Sequence, residues 1–155
     1  MSQIIQILNF EEGYREKPYI DTEGYPTVAG GIRIGPKYAS LANYTFSVPR
    51  KVGDFWKQAI VDGMVYQMSA TPSIAAALKQ CNPARADVLY SMCYQMGLAG
   101  LAGFKNTLAM IGAGNFTGAA NGMLSSKWAS QTPERARRHA EVMRTGTYDI
   151  YKGLI

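Results

Sequence analysis

The sequence predicts an α+β fold: one short helix, a small antiparallel sheet, then a long and mainly helical region. Three observations predict it. Ile4, Ile5 and Leu8 recur at helical spacing and run into Gly13, a natural stop. Between 14 and 35 the β-formers Tyr14, Tyr19, Tyr25 and Val28 are interleaved with turn residues. After Pro49 apolar residues recur every three or four positions, and several helix-start signals follow.

The first helix ends on Glu11 and Glu12. Asp21-Thr22-Glu23-Gly24 places Asp first and Gly fourth in a type I turn, which folds the next segment into two or three antiparallel strands. Gly30-Gly31 and Gly35-Pro36 interrupt that pattern. Pro26 has no N–H to donate, so its strand is expected at a sheet edge there. Residues 36–50 read as an irregular connection. Phe55, Trp56, Ile60, Met64 and Met68 then mark the stripe of a helix. Thr71-Pro72, Asn82-Pro83 and Thr132-Pro133 each pair a cap residue with proline at the first helical position. The helix from Asn82 is expected to end at Gly97, and a shorter one to cover Phe104 to about Ile111. Asn115 is expected to cap another, and Gly146 to end the Arg-rich helix. The chain reads as a single domain over 1–155, with a helix-and-sheet lobe at about 1–50 and a helical lobe at about 51–155. A cleft between lobes is the expected binding place.

The chain has 155 residues, 47% apolar and 17% charged, a globular composition and not a disordered one. No apolar run approaches the roughly 20 residues of a membrane span. The opening residues show no signal-peptide pattern, so the chain is expected to be made and initially kept in the cytoplasm. Cys81 and Cys93 form neither a disulfide framework nor a zinc motif, and are expected as buried or half-buried free thiols. His139 is the only histidine and lies in the Arg135-to-Arg144 helix, which argues against a nucleophilic triad. No cluster of metal ligands appears, so neither metal nor cofactor is expected. The net charge of +5 suggests an anionic polymer as partner, either nucleic acid or the bacterial cell wall. Residues 1–25 instead concentrate Glu11, Glu12, Glu16, Asp21 and Glu23, the pattern of a working carboxylate cluster. The Arg-rich helix reads as a solvated face, not a nucleic-acid stripe. Gly112-to-Gly118 lacks the lysine and spacing of a nucleotide loop and reads as a turn between helices.

Two carboxyl groups across a glycosidic bond can protonate the leaving oxygen and deliver water. Glu12 is placed for the acid, since the negative end of a helix favours a protonated carboxyl. Asp21 opens the turn, and Thr27 follows it.

These residues carry a resemblance. Asn9-Phe10-Glu11-Glu12-Gly13-Tyr14-Arg15 and Tyr19-Ile20-Asp21-Thr22-Glu23-Gly24-Tyr25-Pro26-Thr27 resemble the active-site segment of the T-even phage lysozymes. That family reads Glu-Gly, then Tyr-x-Asp-Thr-Glu-Gly-Tyr-x-Thr, at the same separation. Tyr94-Gln95-Met96-Gly97 with Gly103-Phe104-Lys105-Asn106-Thr107-Leu108 is similar to the family's central stretch. Trp128, Gln131 to Ala136 and Arg144 to Lys152 are similar to its C-terminus. The resemblance covers about half the chain.

The resemblance implies the two-lobed lysozyme-like α+β fold and a peptidoglycan hydrolase. The bond implied is the one between N-acetylmuramic acid and N-acetylglucosamine, cleaved with inversion. It implies Glu12 as catalytic acid, Asp21 as second carboxylate, Thr27 as water-positioning group and Arg135 as the arginine that pairs with the glutamate. It implies Tyr94, Gln95 and Thr107 as saccharide contacts. An endolysin for host lysis is the expected role, monomeric, binding no nucleic acid, and reaching the wall through a separate membrane-permeabilising protein. A virion-borne wall-degrading enzyme and a non-catalytic wall-binding module of the same fold are the alternatives. The match fails where the family follows its threonine with Ile-Gly-x-Gly-His: here Val28-Ala29-Gly30-Gly31-Ile32 replaces the histidine by Ile32. Residues 36–80 resemble the family poorly.

Overall fold

The computed structural model describes residues 1–155 and divides into two compact units. One comprises Ile5–Ile60; the other comprises Met1–Ile4 with Val61–Ile155. The division falls inside a helix and not at its start near residue 50.

In the first unit, α1 (Ile4–Glu12), all but its first residue, leads into β1 (Arg15–Ile20), β2 (Pro26–Ala29) and β3 (Ile32–Arg33). The three strands form one antiparallel sheet in the order β1-β2-β3. β2 is therefore central, not an edge. Pro26 is tolerated because it is the first residue of the strand and only its carbonyl is used, accepting from Ile34 N at 2.9 Å. The register sets Tyr19 and Arg33 on either side of Thr27, one cross-strand row. Directly opposed residues project to the same face of a sheet.

Val28, Ala29, Ile32 and Val48 form the small core of this unit, with Tyr14 and Ile34 packed against them. The segment 29–31 that joins β2 to β3 is tight: Ala29 has φ 56° and Gly31 φ 81°. Ala29 stands at the first glycine of the family pattern, so an alanine here holds a left-handed conformation that favours glycine.

The helix α2 (Arg50–Ser69) confirms the helix expected after Pro49, but of the expected stripe only Met68 is fully buried. Phe55 is 81% exposed, and Trp56 and Ile60 are also exposed, whereas Gly53, Lys57, Val61 and Met68 are buried. Two contacts within the first unit explain the first half of this. A Cβ on Gly53 would collide with the Tyr14 hydroxyl and lie 2.9 Å from Ala29 Cβ, so glycine lets the helix approach closely. Lys57, 0% exposed, reaches Gly30 beside the Asn9 amide.

The second unit contains α3 (Pro72–Lys79), α4 (Pro83–Ala102), α5 (Lys105–Gly112), α6 (Phe116–Leu124), α7 (Lys127–Gln131) and α8 (Pro133–Thr145). The starts and stops expected from sequence recur. Asn82 and Asn115 cap α4 and α6 by accepting from Arg85 N and Gly118 N. Gly97, at φ 82° and ψ 167°, breaks α4, and Gly146 ends α8 in the left-handed conformation. Thr71 and Thr132 do not cap through their side chains. Their hydroxyls donate back to Gln67 O and Trp128 O of the preceding helices. Both cysteines are free, Cys93 buried and Cys81 half-buried.

Two polar devices hold this unit. Asp87, fully buried on α4, accepts from Ser2 Oγ at 2.7 Å, Gln3 N at 2.7 Å and the Tyr148 hydroxyl at 2.5 Å. Arg85 donates to the carbonyls of Met143 and Arg144 at the C-terminus of α8, with its guanidinium 3.6 Å from the Phe116 ring centroid. A cation at that end complements the helix dipole. No helix is long and apolar enough to cross a membrane.

Candidate active site

Glu12 is the last residue of α1, which ends because Gly13 turns left-handed at φ 74°. Its side chain lies against the β2–β3 turn. A Cβ on Gly31 would come within 3.0 Å of Glu12 Cβ, 3.2 Å of Cγ and 3.3 Å of Oε2. The missing side chain at Gly31 is thus the space that the glutamate occupies.

Tyr19 links the two carboxylates predicted from sequence. Burial raises its phenol pKa, and the charges of Glu12 and Asp21 raise it further, while Arg15 acts the other way. Arg15 stacks on the Tyr19 ring, 4.3 Å from its centroid.

Asp21 opens the expected turn: Gly24 N donates to Asp21 O at 3.1 Å. Its carboxylate is held at three points. Oδ1 accepts from Glu23 N and Tyr25 N, each at 2.9 Å, and Oδ2 accepts from Arg33 Nε at 3.0 Å. Burial pulls the Asp21 pKa up, but the Tyr25 and Glu23 amides and the Arg33 guanidinium outweigh it and hold the carboxyl below its ordinary value. Thr27 is 2% exposed and donates its hydroxyl proton to Tyr25 O at 2.9 Å, so its oxygen is left to act as an acceptor.

The remaining candidates lie in the helical unit. Arg135 is not a solvated residue of a basic helix. It is 7% exposed and donates to Ser91 Oγ at 2.9 Å and Ser91 O at 3.3 Å. Ser91 Oγ is 2.7 Å from His139 Nε2, and the Tyr151 hydroxyl is 3.0 Å from His139 Nδ1. Tyr94 and Gln95 are half-buried on α4, and Gln95 accepts from Trp128 Nε1 at 2.8 Å. Thr107 is 6% exposed on α5, its Oγ1 facing Gly122 of α6. No group of three or more metal-ligating side chains comes together.

Two neighbours of these carboxylates carry little signal in the sequence: Gly31 reads there only as a breaker, and Arg33 is set opposite Thr27 only by a hairpin centred on Ala29-Gly30-Gly31.

No model of a known protein family matches the chain. Over nearly its whole length the chain is similar to a probable T4-type lysozyme of Dictyostelium discoideum, with 28% identity over 98% of this chain and 99% of that protein. A second probable T4-type lysozyme from the same organism is 25% identical over 98% and 99%. The pre-baseplate central spike protein Gp5 of Enterobacteria phage T4 is 26% identical over 94% of this chain, which spans 28% of that longer protein.

Proposed function

We propose that this chain, a lysozyme of the T4 type, hydrolyses the bond between N-acetylmuramic acid and N-acetylglucosamine in bacterial peptidoglycan. The three-point hold on Asp21, with Thr27 paired to Tyr19 in the same hairpin, supports the reading. Glu12 gives its proton to the leaving glycosidic oxygen as the bond to the anomeric carbon breaks. A water accepted by Asp21 and by Thr27 Oγ1 has both its hydrogens engaged, so a lone pair is aimed at that carbon. As the new C–O bond forms, the water's proton passes to Asp21. One water is consumed, and attack from the opposite face inverts the anomeric centre. Asp21 is a weak base, suited to holding the water and taking its proton late. Tyr94, Gln95 and Thr107 keep the saccharide contacts that the resemblance implies, although the burial of Thr107 gives it a packing role as well.

The biological setting we infer is host lysis by a monomeric endolysin. It binds no nucleic acid, stays in the host cytoplasm until a separate permeabilising protein opens the membrane, and then acts on the wall. Similarity to a phage spike protein favours a second reading, a virion-borne wall-degrading enzyme. Detecting the chain in purified particles would select that one.

The test is to incubate wild type and Glu12→Gln with insoluble peptidoglycan and measure new reducing ends. Wild type should release them. Glu12→Gln should fall by at least about 10²-fold with its fold intact. Wild type that binds the wall and releases nothing would favour the non-catalytic module.

A further inference from the structure

We propose that Arg33 is a positioning residue for hydrolysis, fixing the Asp21 carboxylate so that one acceptor direction is left for the attacking water. The inference rests on the reading of Asp21 as the second carboxylate, and goes beyond it by naming what orients that group.

Arg33 ends β3, directly across from Thr27. Its Nε donates to Asp21 Oδ2, its Nη2 bonds Glu23 Oε2, and its guanidinium lies 4.0 Å from the Tyr25 ring centroid. These three contacts hold the guanidinium. A carboxylate offers about four acceptor positions. The amides of Glu23 and Tyr25 take two and Arg33 takes a third, so the fourth is the one open to a water. Lysine could supply the charge but not this fork.

The arrangement is more than a surface ion pair, which adds little to stability. Glu23 and Arg33 are well exposed, but Asp21 keeps only 18% of its side-chain surface open. The charged and titratable groups around Asp21 are Arg33 from β3, Glu23 from the turn and Tyr19 from β1. Lys37 stands 5.9 Å from the Tyr25 ring. Of these, Arg33 is the cation bonded to Asp21, so its loss should loosen the carboxylate and let it protonate at higher pH.

The experiment measures kcat and KM against pH for wild type, Arg33→Gln, Arg33→Lys and Asp21→Asn, with the melting temperature of each. The carboxyl carbon of Asp21 is followed by NMR in parallel. Arg33→Gln should lower kcat about tenfold with KM little changed. Its acid limb and the Asp21 titration should both move to higher pH, and Tm should stay within about 3 °C of wild type. Arg33→Lys should fall between the two and serves as the test if Arg33→Gln does not fold. An inactive Asp21→Asn beside an Arg33→Gln with the wild-type profile and titration would overturn the role of Arg33 alone. An Asp21→Asn as active as wild type would overturn the reading beneath it, and the proposal with it.

Discussion

Replacing Gly31 by alanine sets a methyl group against the side chain of Glu12. Two effects follow, and they are separable. The backbone at Gly31 has φ 81°, a conformation that costs an L-residue about 1–2 kcal/mol. In a chain of this size that lowers Tm by about 2–8 °C. The second effect is steric. The new carbon would lie 3.0 Å from Glu12 Cβ and 3.2 Å from Cγ, and carbon atoms rest at about 3.5–4.0 Å. Glu12 must therefore move by about half an ångström. Since a displacement of about 1 Å can cost 10²-fold in rate, kcat should drop about tenfold. Gly114→Ala is the control: φ there is 78° with nothing within 4 Å of the added carbon. It should show a similar loss of Tm with kcat unchanged. The assay is release of reducing ends from peptidoglycan at fixed pH, alongside thermal melts. If Gly31→Ala keeps the wild-type kcat while losing the same Tm as Gly114→Ala, the packing of Glu12 on the turn does not position the acid.

Other consequences can be measured on the same material. Burial, with the nearby Arg135 and Arg138, pushes the His139 pKa well below its usual 6.5, so the fold holds this ring neutral. The unfolded chain then binds the extra proton. The stability contributed is full above about pH 6.5 and is lost as pH falls toward the folded-state value. Urea melts between pH 7 and 5 should show this slope, and His139→Gln should flatten it; an equal slope in the variant would assign the acid lability to other groups. Asp87→Ala leaves the Ser2 hydroxyl, the Gln3 amide and the Tyr148 hydroxyl without their common acceptor and should destabilise by about 3 kcal/mol. An unchanged Tm would show that this buried carboxylate is dispensable. Burial pushes the thiols of Cys81 and Cys93 up to about 11, so both should react slowly with a thiol reagent at pH 8 in the native protein and rapidly once unfolded. Fast native labelling of Cys93 would contradict its burial.

The parts of the fold legible in the sequence were those written in local backbone chemistry. Asn82, Pro83, Asn115, Gly97 and Gly146 act through their own φ, their own ring or a side chain reaching three residues along. Helix starts and stops could therefore be read without knowing the packing. The buried face of α2 could not. Hydropathy pointed to Phe55 and Trp56, but the helix turns Gly53 and Lys57 inward, and an offset of one residue rotates a helical face by about 100°. The choice is made by Tyr14, Ala29 and Gly30, which lie far away in sequence. The burial of Arg135 and His139 is illegible for a related reason: their partner, Ser91, sits on another helix. In the candidate site, the motif named Glu12, Asp21 and Thr27. Arg33 became visible only with the strand register, because an ion pair across a hairpin has no signature in spacing until the turn is known.

The bonds that hold Asp21 all arise within the stretch from Asp21 to Arg33. Loops this short close at small entropic cost, and contacts between near neighbours form early in folding. The carboxylate proposed to hold the water is thus oriented by bonds that its own hairpin supplies, and not by the helices of residues 72–145. Damage to the helical core should change how many molecules are folded while leaving Asp21 equally well oriented in each one that is. Selection for a more or less durable enzyme can therefore act on those helices without retuning the carboxylate.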